Sequence, residues 1–302
     1  MPMNAEDVAQ PWGPAEKAAW RARQRRQRSH ANDVLARIDA LRDRFDVIQY
    51  GTLDYGSEAR YPLLAVRSHD WNAVLPTMLV TGGVHGYETS GVHGALQFLE
   101  HAASDFAGIA NLVVVPCVSP WGYEHIQRWN ADALDPNRNF FEDSPAQEAT
   151  ALMRFMASVP GAIAMHIDLH ETTDSDETEF RPALAARDGK RFEPGTIPDG
   201  FYLVDDSARP QPGFQQAIIE AVSQVTHIAP ADPDCTIIGS PEVAPGVIEY
   251  DCKGLGLCAG MTDARFVTTT EVYPDSPRAT AQQCNDAQVA AVKAAIAYAL
   301  EH

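Results

Sequence analysis

The chain has 302 residues, 45% of them hydrophobic, and a formal charge of −18. That length and apolar content suit a globular protein with a sizeable core and exclude a disordered chain. The acidic balance argues against nucleic acid or anionic membrane as partners; it serves solubility first and at most tilts substrate choice towards cationic or neutral groups.

In chain order, the N-terminus MPMNAEDVAQPWG lacks the basic start and apolar stretch of a secretory signal. No apolar run reaches the roughly 18 residues of a membrane span, so the cytoplasm is the expected location. Residues 14–45 read as one helix, with Val34, Leu35, Ile38, Leu41 and Phe45 at three- and four-residue spacing. The cluster Arg21, Arg23, Arg25, Arg26 and Arg28 reads as a solvated face of that helix rather than a nucleic-acid arm. Residues 1–45 are therefore expected to form a helical extension packed on a single domain, 46–302.

Short strand-type runs follow at 46–50, 61–66, 77–80, 111–117, 163–169, 201–204, 235–238 and 266–270, most too apolar for a sheet with one wet face. Helical patterns alternate with them at 88–103, at 145–159 behind a Ser144 cap, at 213–226 and at 279–300. Alternating strands and helices predict an α/β fold, a three-layer α/β/α sandwich around a mixed, mostly parallel sheet. Residues 171–200 and 239–263 lack periodicity and read as long loops, the second as the pocket wall. Five cysteines (Cys117, Cys235, Cys252, Cys258, Cys284) without a Cys-x-x-Cys read as core or incidental thiols, a Cys252–Cys258 loop disulfide being the lesser reading.

Four segments carry candidate chemistry. In TMLVTGGVHGYETSGVH (77–93), His85 and Glu88 stand three residues apart where a strand turns into a helix, half of a metal site. Gly82, Gly83 and Gly86 permit the tight geometry. In AMHIDLHETTD (164–174), His166, Asp168 and His170 alternate with Ile167 and Leu169 and share one face of a strand, with His170 at its end as the third ligand. His166 reads as a satisfied histidine. A helical His170-Glu171-x-x-Asp174 zinc motif is the lesser alternative, opposed by the alternation and by Thr172 and Thr173. ALDPNRNF (133–140) offers Asn137 and Arg138, an amide and a guanidinium able to hold a carboxylate. VTTTEVYP (267–274) ends a β-branched strand on Glu271, a group that could activate water at the rim of a metal pocket.

Together these segments resemble the zinc metallocarboxypeptidases of the carboxypeptidase A type, over about residues 46–300. The resemblance implies a carboxypeptidase-like fold and one zinc ion on His85, Glu88 and His170. It implies Glu271 as general base and Asn137 with Arg138 as the clamp for a substrate's terminal carboxylate. Asp135 matches the aspartate that orients the first zinc histidine, Arg128 falls where the family polarises the scissile carbonyl, and Tyr250 falls near the place of its mobile tyrosine. The expected activity is release of C-terminal amino acids from peptides. The chain also resembles the aspartoacylase and succinylglutamate desuccinylase group, through His-x-x-Glu, the Asn-Arg pair and Asp-Leu-His, which implies an N-acyl amino acid substrate instead. That group carries a further β-rich domain, whereas the 31 residues after Glu271 read as one helix. A cell-wall peptide amidase falls within the enzyme reading, and a non-catalytic zinc-binding module is the least favoured alternative.

Overall fold

The computed structural model describes residues 10–56 and 59–302; residues 1–9 of the expected extension lie outside the described residues. The described chain runs through helices α1 (Pro14–Arg23) and α2 (Ala36–Asp39), then β1 (Phe45–Asp54), β2 (Arg60–Ser68), β3 (Thr77–Gly82), α3 (Thr89–His101), β4 (Asn111–Val115) and α4 (Pro120–His125). It continues with α5 (Gln147–Ser158), β5 (Ile163–Glu171), α6 (Arg181–Arg187), β6 (Tyr202–Asp206), α7 (Pro212–Val222) and the short strands β7 (Thr236–Ile237) and β8 (Ser240–Pro241). Strands β9 (Val247–Tyr250) and β10 (Phe266–Val272) precede the last helix, α8 (Ala281–Glu301).

Eight strands form one sheet in the order β1-β2-β4-β3-β5-β10-β6-β9. The centre, β4-β3-β5-β10, is parallel, while β1–β2, β2–β4 and β10–β6 are antiparallel. Every residue of β3 and β4 is buried, as continuous apolar strands covered on both faces must be. On β5 the alternation works as predicted. Met165, Ile167 and Leu169 join Leu96, Ile218 and Val292 beneath α3, α7 and α8. On the opposite face Ala149 and Leu152 of α5 pack with Ala65 and Val115. Each fully buried aliphatic side chain of this kind contributes roughly 1.5–3 kcal/mol. The result is the expected three-layer α/β/α sandwich around a mixed, mostly parallel sheet.

Local departures have local causes. The helix expected over 14–45 breaks after α1, where Gln24 is extended with ψ 141°. The buried residue Glu124 draws the chain away from helical pairing. Its carbonyl accepts from Gln27 N (2.7 Å) and Arg28 N (3.1 Å), and its carboxylate from His30 N, Tyr61 Oη and the Arg26 guanidinium. Nor is the arginine cluster merely a solvated face, because Arg28 lies over the Tyr123 ring at 5.1 Å and donates to Thr89 Oγ1, and Arg21 reaches the Tyr55 carbonyl. Ser144 does not cap α5 directly. Its hydroxyl accepts from Ala146 N, and the helix starts one residue later. Helix α8 is capped by Thr280, with Gln283 reaching back to the Thr280 amide. All five cysteines are free thiols, so the Cys252–Cys258 disulfide is absent. No described helix is long and apolar enough to cross a membrane.

His30, 4% exposed under the broken segment, has an imidazole lowered to about 4 by burial and then by Arg26, against the pull of Asp33. A histidine whose folded pKa lies below its unfolded value of about 6.5 gives full stability above that value, lost as the pH falls towards about 4. Between pH 7 and pH 5 His30 should therefore cost about 2 kcal/mol. Urea unfolding of the protein and of His30→Gln at the two pH values measures this, the variant losing that much less; equal losses in both would contradict it.

Candidate metal centre and its cavity

The turn between β3 and α3 delivers the first two candidate ligands. Gly83 sits at φ +61°, where a side chain would be strained, and a Cβ on Gly86 would stand 1.9 Å from Tyr123 N. Besides its apolar side chains, helix α3 meets the sheet backbone to backbone: a Cβ on Gly82 would meet the Gly91 carbonyl at 2.3 Å, and one on Gly91 the Leu169 carbonyl at 2.3 Å. Glu88 occupies the N-cap of α3, yet its side chain caps nothing. Capping falls to Glu171 on β5, whose carboxylate accepts from Thr89 N (2.9 Å) and Ser90 N (2.7 Å). That exchange frees the Glu88 carboxylate to face the histidines.

Glu88 Oε1 lies 2.7 Å from His85 Nδ1, and Oε2 lies 2.7 Å from His170 Nδ1. One ligand atom from each of the three residues falls within 4.8 Å of the others, and all three side chains are buried. The far nitrogens are held by carboxylates: His85 Nε2 by Asp135 Oδ1 at 2.8 Å, and His170 Nε2 by Asp168 Oδ2 at 2.7 Å. An Nε2–H donated outwards leaves Nδ1 as a lone pair. Two imidazole lone pairs and a carboxylate then converge on one buried spot, an arrangement that suits a cation and is repulsive without one. Burial would raise the Glu88 carboxyl, but His170 and His85 outweigh it and hold it well below the usual carboxylate range. Burial likewise opposes charge on His170, and Glu88 and Asp168 overcome it, raising the imidazole. The donor set fits zinc.

His166 stays outside the cluster. Its Nε2 meets Thr81 Oγ1 at 3.0 Å, and Thr81 donates to Asp168 Oδ1 at 2.6 Å, so it buttresses the carboxylate behind His170. Burial lowers it to about 4, which keeps it neutral. The helical His170–Asp174 motif is excluded, since β5 runs through Glu171 and Asp174 turns outward to accept from Tyr273 Oη.

A cavity of about 420 Å³ abuts the cluster; Asp135 and Glu171, which touch His85 and Glu88, form part of its wall. Glu271 enters it from β10, in register with His170 on β5. Its Oε2 accepts from Thr172 Oγ1 at 2.9 Å, and burial, then the charge of Glu88, push its carboxyl up to about 8. Arg128 donates through Nε to Asp135 Oδ2 (3.1 Å) and through Nη1 to Asp176 Oδ1 (3.2 Å), while its Nη2 has no acceptor among the described residues. Arg138 lines the cavity with only the Asn137 carbonyl as hydrogen-bond acceptor among the described residues. Burial lowers its guanidinium pKa, so a carboxylate there would be held strongly. Asn137 is held on both sides: its Oδ1 accepts from Cys258 N at 2.7 Å, and its Nδ2 lies 3.5 Å from His170 Nε2, although it is not among the residues lining the cavity. Tyr250 does, its hydroxyl 3.4 Å from Ser240 Oγ.

The sequence reading put the pocket wall in 239–263, but from that stretch only Tyr250 lines the cavity. The wall comes instead from the other supposed loop, where a π-type turn (Asp176–Phe180) runs into α6 and supplies Asp176, Phe180, Arg181, Leu184 and Arg187. Phe180 and Leu184 at four-residue spacing, with Pro182 in the first turn, were the available signal. Four arginines thus border the cavity beside five carboxylates, Asp135, Glu171, Asp176, Asp188 and Glu271, so both signs of charge line it.

A family described as "Protein of unknown function (DUF2817)" matches residues 53–174, the stretch that holds all three candidate ligands. No curated protein matches the sequence. Among solved structures, a protein of Shewanella amazonensis SB2B described as a putative metallopeptidase is similar at 20% identity and TM-score 0.67, over 91% of this chain and 98% of its own. Another so described, from Shewanella denitrificans OS217, reaches 18% and 0.67 over 99% and 100%. A metallo-carboxypeptidase of Pseudomonas aeruginosa in complex with (2-guanidinoethylmercapto)succinic acid reaches 16% and 0.59 over 88% and 68%. At these identities the similarity establishes the fold.

Proposed function

We propose that the chain is a zinc-dependent hydrolase cleaving an amide bond beside a free carboxylate, a metallocarboxypeptidase acting on peptides. The observation that carries this reading is one cavity, set against the His85–Glu88–His170 cluster, that brings together Glu271 and the carboxylate-free guanidinium of Arg138. The likeness to metallo-carboxypeptidase structures agrees with it. Residues 46–302 would be the catalytic unit, with the segment before them docked through Trp20, whose ring lies 5.9 Å from Trp121 and 5.5 Å from Trp129.

His85, Glu88 and His170 would hold the zinc ion, which when bound would supply Lewis acidity at that spot. Arg138 anchors the terminal carboxylate, and Tyr250 lies alongside. Asn137, through Cys258 N, steadies the loop beneath that anchor. Glu271 takes a proton from the attacking water and returns it to the leaving amine, splitting one amide into an acid and an amine. The free Nη2 of Arg128 stabilises the carbonyl oxygen as it gains negative charge, held in aim by Asp135 and Asp176.

The test is zinc content together with hydrolysis of peptide acids, the matching amides, and N-acyl aspartates and glutamates. Cleavage of the acyl amino acids alone would move the assignment to a deacylase, and zinc without any hydrolysis to a binding module. Arg138→Ala should reduce kcat/KM for a peptide acid about 10–100-fold, the worth of a charge-assisted pair, with little change for the amide. Equal losses on both would make Arg138 structural.

A further inference from the structure

Helix α6 walls the cavity with Arg181, Leu184 and Arg187, yet it buries none of its seven residues fully. A helix of that length is marginal without tertiary support. Its support comes from the start of the described chain. The Trp12 amide donates to the Arg187 carbonyl at 2.8 Å, and the Trp12 and Trp129 rings meet edge to face, 6.0 Å apart at 88°. The Arg187 guanidinium lies 4.7 Å from the centre of the same Trp129 ring, and Ala183 and Leu184 pack on the cluster that Trp129 shares with Trp20. The same segment also borders the active space itself. A second hollow of about 470 Å³, walled by Pro11, Trp12 and Lys17, has Asp135, Arg138, Arg187 and Asp188 in common with the cavity.

We infer that residues 10–20 form a strap that positions α6: Trp12, fastened to the Arg187 carbonyl and to Trp129, holds the helix over the cavity and closes the hollow beside Arg138. Trp12 is a positioning residue, acting through α6 and the Trp129 ring. A wall fixed before the substrate arrives spares binding the cost of ordering it, so releasing the strap weakens binding and leaves the chemical step alone. The kinetic consequence rests on the hydrolase reading above, whereas the order of α6 is independent of it.

Trp12→Ala and Trp12→Phe are compared with the unaltered full chain by amide hydrogen exchange and, loaded with zinc, by steady-state kinetics on a peptide acid. In Trp12→Ala the amides of 183–187 should exchange about 10-fold faster, the worth of one aromatic pair, while those of β3 and β5 stay as they were. Phenylalanine still offers a ring to Trp129, so Trp12→Phe should recover most of the protection. KM should rise about 10-fold in Trp12→Ala and return to within about 2-fold in Trp12→Phe, with kcat changed less than about 2-fold in both. Unchanged protection of 183–187 overturns the inference. So does exchange that rises in β3 and β5 as well, because Trp12 would then support the fold at large, and so does a fall in kcat with KM unmoved. Absence of hydrolysis on any peptide removes the hydrolase reading alone, and the exchange result still decides the strap.

Discussion

Glu271→Gln should lower kcat about 10²–10⁴-fold while leaving zinc content unchanged, the range that loss of a general base produces. The carboxylate stands one strand from His170, is held by Thr172 Oγ1, and makes no hydrogen bond to His85, Glu88 or His170. Glutamine has the same shape and can still accept from Thr172, so KM should move little, and the loss should fall on kcat and kcat/KM alike. Metal analysis beside steady-state kinetics decides the matter. Near-normal hydrolysis would take Glu271 out of the proton-transfer role, and a loss of zinc would place it among the ligands.

Glu88→Gln should act on the metal instead. Glu88 faces both imidazoles at 2.7 Å and is the only anion among the three candidate ligands. A four-ligand zinc site gathers about 10–16 kcal/mol, so losing one anionic ligand should weaken binding by about 10²–10³-fold. The readout need not be activity: zinc should raise the melting temperature of the unaltered protein by mass action and fail to do so for the variant at the same concentration. Glu171 makes the contrast, since it caps α3 from the neighbouring strand and faces no imidazole. An equal zinc response in Glu88→Gln would remove Glu88 from the ligand set.

Much of this arrangement was legible before any coordinates. Alternation along 163–169 fixed which side of β5 carries His166, Asp168 and His170, because strand geometry admits only two faces. The run of apolar residues before Gly82 announced a buried strand, and the spacing of His85 and Glu88 announced the turn. What stayed hidden depended on contacts far apart in the chain. Glu124 breaks the first helix by accepting from residues nearly a hundred positions earlier. Glu171 caps a helix that starts 82 residues before it, and Asp176 reaches Arg128 across 48. Nor does residue type reveal that the Asn137 oxygen is engaged by Cys258 N while its amide nitrogen stays beside His170. Helix α6 escaped notice since it is only seven residues long and its apolar positions are few, Leu184 and the preceding Phe180 both bordering the cavity.

The backbone seating of α3 on β3 and β5, through Gly82, Gly91 and the Leu169 carbonyl, divides the molecule by how freely its side chains can change. Where main chain touches main chain, any added Cβ would push helix and strand apart, and with them Glu88 and His170, so that seam has almost no room for another side chain. Arg138, Arg181, Arg187 and Ile238 belong to separate segments that border the cavity without crossing the seam. Changes in α6 or in the β7–β8 hairpin could therefore reshape the cavity wall while the His85–Glu88–His170 cluster kept its spacing.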